Sequence, residues 1–249
     1  MNTTPLRSGG YRCAALLIAC SAAVADLHAA DITVDAKANI FGAGHATPPA
    51  PAGFGAGILP PSIPITSTPA LAITFGSITG SVTYSDGTNS PASPFFGPEG
   101  SATFDTSLSA IGGLSSINGT GLFWLVGVFL DDSEPSDPAP AGLPPFTETA
   151  KQFTSLSPGL RQIFFIGDGQ QAGSPQLFNV PAGATRLFLG FADGDGGAGQ
   201  AGYYNDNQGA LNVVVNVPEP YSMTLVLSGA FFLGGRRHTG GRRISAGHW

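Results

Sequence analysis

Glycine and proline interrupt this 249-residue chain at 36 and 21 positions. Proline removes a backbone donor and glycine weakens element interiors, so few stretches could sustain an amphipathic helix. The residues left between the breaks are rich in Ser, Thr, Phe and Val. They predict an all-β domain with long loops. Runs at 31–35, 71–75, 77–84, 122–130, 161–166, 184–191 and 211–217 read as strands. The last alternates cleanly, with Leu211, Val213, Val215 and Val217 on one face. In the first, Ile32 and Val34 share a face, and 122–130 is apolar enough for a fully buried strand. Seven or eight strands without helices predict a two-sheet β-sandwich. Residues 42–69 carry seven prolines and are predicted as a surface insertion, and 131–158 as a long loop that is acidic and proline-rich at its start.

Both ends differ from this body. Arg7 and Arg12 precede an uncharged apolar stretch, with small residues at Ala23 and Ala25 and again at Ala29 and Ala30. That order predicts a cleaved secretory signal over residues 1–30. Residues 17–20 resemble a lipobox, which would make Cys20 a lipidated first residue, and both outcomes stay open. The two cysteines, Cys13 and Cys20, lie in the leader, so no disulfide can hold the body together.

At the other end Pro218-Glu219-Pro220 is followed by an apolar stretch and then by Arg236, Arg237 and His238. This order resembles the bacterial PEP-CTERM sorting signal. The resemblance implies a short transmembrane sorting helix within 218–238, followed by a basic tail, 239–249. An exosortase-type protease would process it. The protein would be exported, membrane-anchored before processing, and finally placed at the cell surface or in extracellular polysaccharide.

Between the ends, residues 31–217 hold four basic residues (Lys37, Lys151, Arg161 and Arg186) against fourteen acidic ones, a formal charge of −10. Nucleic acid should be repelled by such a body, whereas a divalent cation could be held. The acidic and amide residues concentrate in 191–209, which offers Asp193, Asp195, Asn205, Asp206 and Asn207 among several glycines. Calcium takes six to eight hard oxygen ligands, from side chains and from main-chain carbonyls. The same composition equally suits a set of turns. The loop has no histidine or cysteine, which argues against zinc.

Phe188 to Asp193, then Gly202-Tyr-Tyr-Asn-Asp-Asn-Gln-Gly-Ala-Leu211 and the terminal alternating strand, resemble the PA-IL family of calcium-dependent galactose-binding lectins. Residues 80–84 and Gly97-Pro98-Glu99-Gly100 are similar to that family's other half-site. The resemblance implies a small β-sandwich in which calcium is held by the main-chain carbonyls of Tyr84 and Tyr203 and the side chains of Asp193, Asp206 and Asn207. Sugar hydroxyls would complete the shell. Asp206 stands where the family has an amide, the loop after Asp193 is longer with Asp195 as a spare ligand, and Phe104 and Asp105 occupy the neighbourhood of a sugar-contacting histidine.

The expected function is calcium-dependent carbohydrate binding without catalysis. A purely structural matrix protein is the alternative. An enzyme is the third reading: there is no G-x-S-x-G elbow, but Asp86, Glu99, Asp105, Asp131 and Asp168 could meet in space as an acid pair.

Overall fold

The structure is a computed structural model that describes residues 27–65 and 71–218. Its strands, in chain order, are β1 (Leu27–Asp35), β2 (Ser62–Pro64), β3 (Ala72–Thr83), β4 (Thr106–Leu108), β5 (Ile117–Gly119), β6 (Val126–Leu130), β7 (Ser155–Leu156), β8 (Ile163–Phe165), β9 (Gln170–Gln171), β10 (Ser174–Pro175), β11 (Leu177–Asn179), β12 (Arg186–Gly190), β13 (Ala198–Gly199) and β14 (Gln208–Pro218). Three-residue 3-10 turns lie at Ile40–Gly42, Asp195–Gly197 and Tyr204–Asp206.

The all-β expectation holds, but the two-sheet sandwich does not. Strands gather into a five-stranded sheet, β1-β14-β3-β11-β7, a four-stranded sheet, β2-β12-β6-β8, and separate sheets of three and two strands. Many strands are only two or three residues long. Glycine and proline stop the chain too soon for two continuous facing sheets, and apolar loop segments fill the space instead. Residues 122–125 show this: they are buried but not extended, and Phe123 takes a left-handed φ of 64° while stacking on Phe191 at 4.6 Å.

The long strands follow the alternation of their sequences. β14 lies between β1 and β3, antiparallel to both, with Val34 facing Leu211 and Ile32 facing Val213 in the register. Leu211, Val213 and Val215 are buried while Asn212 is exposed. Runs 71–75 and 77–84 fuse into the single strand β3. Gly76 is not a break but the site of a register shift against Val213 and Val215, which places an extra residue on β3. β1 begins at Leu27, so the strand takes in residues 27–30.

The 42–69 segment is more than a surface excursion. Ile63 and Ile65 are buried, and β2 forms the edge of the four-stranded sheet beside β12. Proline is tolerated there because an edge strand leaves one row of donors unpaired. One contiguous core links both larger sheets, from Val34, Phe75 and Val213 to Phe129, Phe164 and Leu187.

The membrane-anchored state is corrected as well. Among the described residues no helix is long and apolar enough to cross a membrane. The apolar end stretches are also shorter than the roughly 20 residues a spanning helix needs. The described residues therefore give no support to the membrane and the exosortase-type protease as partners, nor to the surface placement that depended on an anchor. The leader through residue 26, including Cys20, and the sorting segment and tail from residue 219 lie outside the described residues.

Candidate functional site: an oxygen-lined pocket

The site begins where β12 ends. Phe191 is tied to the chain ahead of β2, through its N–H to the Ala38 carbonyl at 2.8 Å and through the Ile40 N–H to its own carbonyl at 3.1 Å. Two residues later Asp193 is pinned by a buried tyrosine. The Tyr204 hydroxyl donates to the Phe191 carbonyl at 3.0 Å and accepts from the Asp193 N–H at 3.1 Å. Residues 194–201 then leave and return, closed at the base by the Gly202 N–H on the Asp193 carbonyl at 3.0 Å. The chain turns back through Tyr203, whose φ of 72° is unusual for a residue with a side chain. The 3-10 turn Tyr204–Asp206 follows and delivers Asp206 and Asn207 to the start of β14.

These turns gather the acidic and amide residues. Tyr84, Asp193, Tyr203 and Asp206 line one cavity of about 450 Å³, with Asp195 at its exposed rim and Asn207 buried nearby. Asp193, Asp206 and Asn207 are 3 %, 2 % and 0 % exposed. Each also carries one buried side-chain oxygen without a hydrogen-bond partner: Asp193 Oδ2, Asp206 Oδ1 and Asn207 Oδ1. Among the described residues only two other buried side-chain polar atoms share that condition, Trp124 Nε1 and Gln176 Oε1.

The remaining capacity of each group is used to hold it in place. Asp193 Oδ1 accepts the Gly194 N–H at 2.8 Å, Asn207 Nδ2 donates to the Ala36 carbonyl at 3.2 Å, and Ser90 Oγ donates to Asp206 Oδ2 at 3.5 Å. The Asp86 N–H donates to the Asp206 carbonyl at 2.8 Å.

Each unpartnered buried group costs about 1–3 kcal/mol, and more when it is charged. Three such costs in one place need a common answer. Burial holds the Asp193 carboxyl well above the usual carboxylate range. The Asn207 side chain and the Gly194 N–H pull it down, and the Asp206 charge pushes it up. Burial, then the charge of Asp193, raises the Tyr204 phenol well above its ordinary value.

Among the described residues no three His, Cys, Asp or Glu side chains gather around a point. The side-chain oxygens here belong to two carboxylates and one amide, and Tyr84 and Tyr203 line the same cavity. Hard oxygen donors of this kind suit calcium rather than a soft metal.

Three parts of the site have no signature in the sequence. Residues 90–94 form one wall of the cavity and Thr103, Phe104 and Leu122 another. The third is a strap from the 42–69 segment. The Asn205 N–H donates to the Phe54 carbonyl at 3.0 Å, the Ala52 N–H to the Ala201 carbonyl at 3.1 Å, and Phe54 meets the Tyr203 ring edge-on at 5.4 Å.

The tyrosine latch gives a first expected result. Tyr204→Phe leaves the Asp193 N–H and the Phe191 carbonyl without their shared partner. It should cost about 1–2 kcal/mol, read by denaturant unfolding, and should weaken any ion bound at Asp193.

The carboxylates considered for catalysis are mostly engaged in local turns. Asp131 accepts from Ser133, Asp168 from Gln170, Asp86 from Thr88, and Asp105 from the Gly121 N–H. Glu99 and Asp168 come together, through the Asp168 N–H on Glu99 Oε1 at 2.7 Å.

No protein-family model, curated protein or solved structure matches this chain.

Proposed function

We propose that this chain is a calcium-dependent carbohydrate-binding protein without catalytic activity of its own. The observation that carries the reading is the set of unpartnered buried oxygens on Asp193, Asp206 and Asn207 beside one cavity. In this reading the three side chains and the carbonyls of Tyr84 and Tyr203 hold the ion. Two neighbouring hydroxyls of a sugar would displace its remaining water. The motif resemblance to the PA-IL lectins, which rests on the sequence alone and is matched by no family model, points to the same residues.

A structural role for the ion is the second reading. It is favoured by the contacts that pin 191–207 to the strap, to residues 36–40 and to Asp86 and Ser90. Glycan-array binding separates the two. Binding that calcium permits and a chelator removes supports the lectin, whereas calcium-induced stabilisation with no glycan bound supports the structural role.

Protons should compete with the ion. Because the folded pKa of Asp193 is raised, this group favours the fold most at pH below the ordinary carboxylate range. That contribution is lost as pH rises toward the raised value. Calcium needs the carboxylate form, so its affinity should rise through the same window, by at most about tenfold per pH unit for one displaced proton. Titrations at about pH 5.5 and about pH 8 should show tighter binding at the higher pH. Equal affinities would contradict the release of a proton from Asp193 on binding.

A further inference from the structure

The cavity is lined by three carboxylates, Asp193, Asp195 and Asp206, and among the described residues by no Lys, Arg or His. Asp193 and Asp206 are buried, whereas Asp195 is exposed at the mouth. Asp195 belongs to neither of the ion pairs that the described residues form, His45–Glu134 and Lys151–Glu148. The remaining cations of the body are placed elsewhere. Arg161 donates to the Ser136 and Pro138 carbonyls, Arg186 to those of Asp131 and Ser133, and Lys37 lies outside the lining. The mouth is also firmly built. Its excursion, 194–199, rests on β4 through the pairing of β13 and through the Ser109 N–H on the Gly199 carbonyl at 2.7 Å. Gly196 and Gly197, at φ 57° and 78°, turn the chain directly after Asp195, and a Cβ on Gly197 would meet the Asp105 carbonyl at 2.6 Å. Asp195 is thus carried at a fixed place beside the buried oxygens.

We infer that Asp195 selects a cationic sugar: a saccharide whose vicinal hydroxyls meet the ion and whose free amino group, protonated to an ammonium, pairs with Asp195. This rests on the calcium reading above. A divalent ion balances two of the three carboxylates, so the loaded site keeps one negative charge, and Asp195 is where it meets solvent. An ammonium is repelled by the ion and attracted by three carboxylates, and the balance is attraction toward the mouth. A neutral sugar leaves Asp195 to water, and a sugar acid meets a like charge with no cation in the lining to offset it. Acetylation of the amine removes its charge, so Asp195 separates the free amino sugar from its acetamido form. The formal charge of −10 on residues 31–217 adds attraction at longer range, which salt screens.

The test uses the full chain saturated with calcium and titrated by calorimetry with methyl glycosides of galactose and of glucose. Each is compared with its 2-amino-2-deoxy and 6-amino-6-deoxy counterparts, as free amines and as acetamides. For at least one of these positions the free amine should bind at least about threefold tighter than both the alcohol and the acetamide. That advantage should shrink when salt rises from about 0.02 M to about 0.2 M. Asp195→Asn should abolish it while leaving calcium affinity, the melting temperature and the binding of the neutral glycosides unchanged. Equal binding of amine and alcohol at every position overturns this inference and leaves the calcium-dependent sugar reading intact. A fall in calcium affinity in Asp195→Asn, or a second ion bound per chain, also overturns it, because Asp195 then serves a metal. Calcium binding with no glycoside bound overturns the inference and favours the structural role. Absence of calcium binding overturns the underlying reading.

Discussion

Asp193→Asn should move stability in opposite directions with and without calcium. In chelator the substitution removes a carboxylate whose charged form is disfavoured by burial and by Asp206. It also brings an amide donor close to oxygens that lack one. The chelated variant should therefore be more stable than the parent at neutral pH, by about 1–3 kcal/mol. In calcium the order should reverse, because the parent gains stability as the ion binds and the variant does not. Calcium affinity should fall at least about 100-fold, which corresponds to nearly 3 kcal/mol. Asp206→Asn should weaken calcium in the same way. Melting curves of both variants in calcium and in chelator supply the four comparisons. Loss of stability in both conditions would mean that the two carboxylates serve the fold and not an ion.

Gly57→Ala should damage both the fold and the site. Gly57 sits at φ 73°, and an added Cβ would collide with the Lys37 carbonyl and come within 2.9 Å of the Tyr204 ring. Neither neighbour can give way cheaply. The carbonyl accepts the Ile58 N–H at 2.8 Å, and Tyr204 is the latch of the site. Strained backbone plus steric overlap should cost about 2–4 kcal/mol. Calcium affinity should fall with stability, since the strap and the Tyr204–Asp206 turn share the displaced contacts. An unchanged unfolding midpoint would show that the strap is not part of the cooperative fold.

The strap also shows where the sequence stops being informative. β14 was readable because its apolar residues alternate strictly, and side chains of alternating character can settle in only one orientation on a half-buried sheet. Asp193, Asp206 and Asn207 were singled out by a motif resemblance, since their residue types alone suit turns as well as a hard ion. Residues 122–130 were harder. A continuous apolar run says that a segment is buried and not that it is extended, and only Val126–Leu130 became strand while Leu122 to Leu125 are buried outside any named strand.

β2 was missed because proline density argues against strands in general, yet an edge position removes the objection. The sandwich was overestimated for the reverse reason. Counting strand-like runs says nothing of how many are long enough to pair along a whole sheet. Of the cavity walls only Phe104 was placed near the site beforehand, by the motif resemblance. Ser90, Pro94 and Leu122 lie far from Asp193 in sequence, and no periodicity connects loops that meet only in space.

The most direct test of the calcium reading is a calorimetric titration of the full chain, stripped with chelator, against calcium at neutral pH. Saturable binding of a single ion, a raised melting temperature at saturation, and loss of both in Asp193→Asn are the expected results. No heat of binding and a melting temperature indifferent to calcium would contradict the assignment of Asp193, Asp206 and Asn207 as ligands.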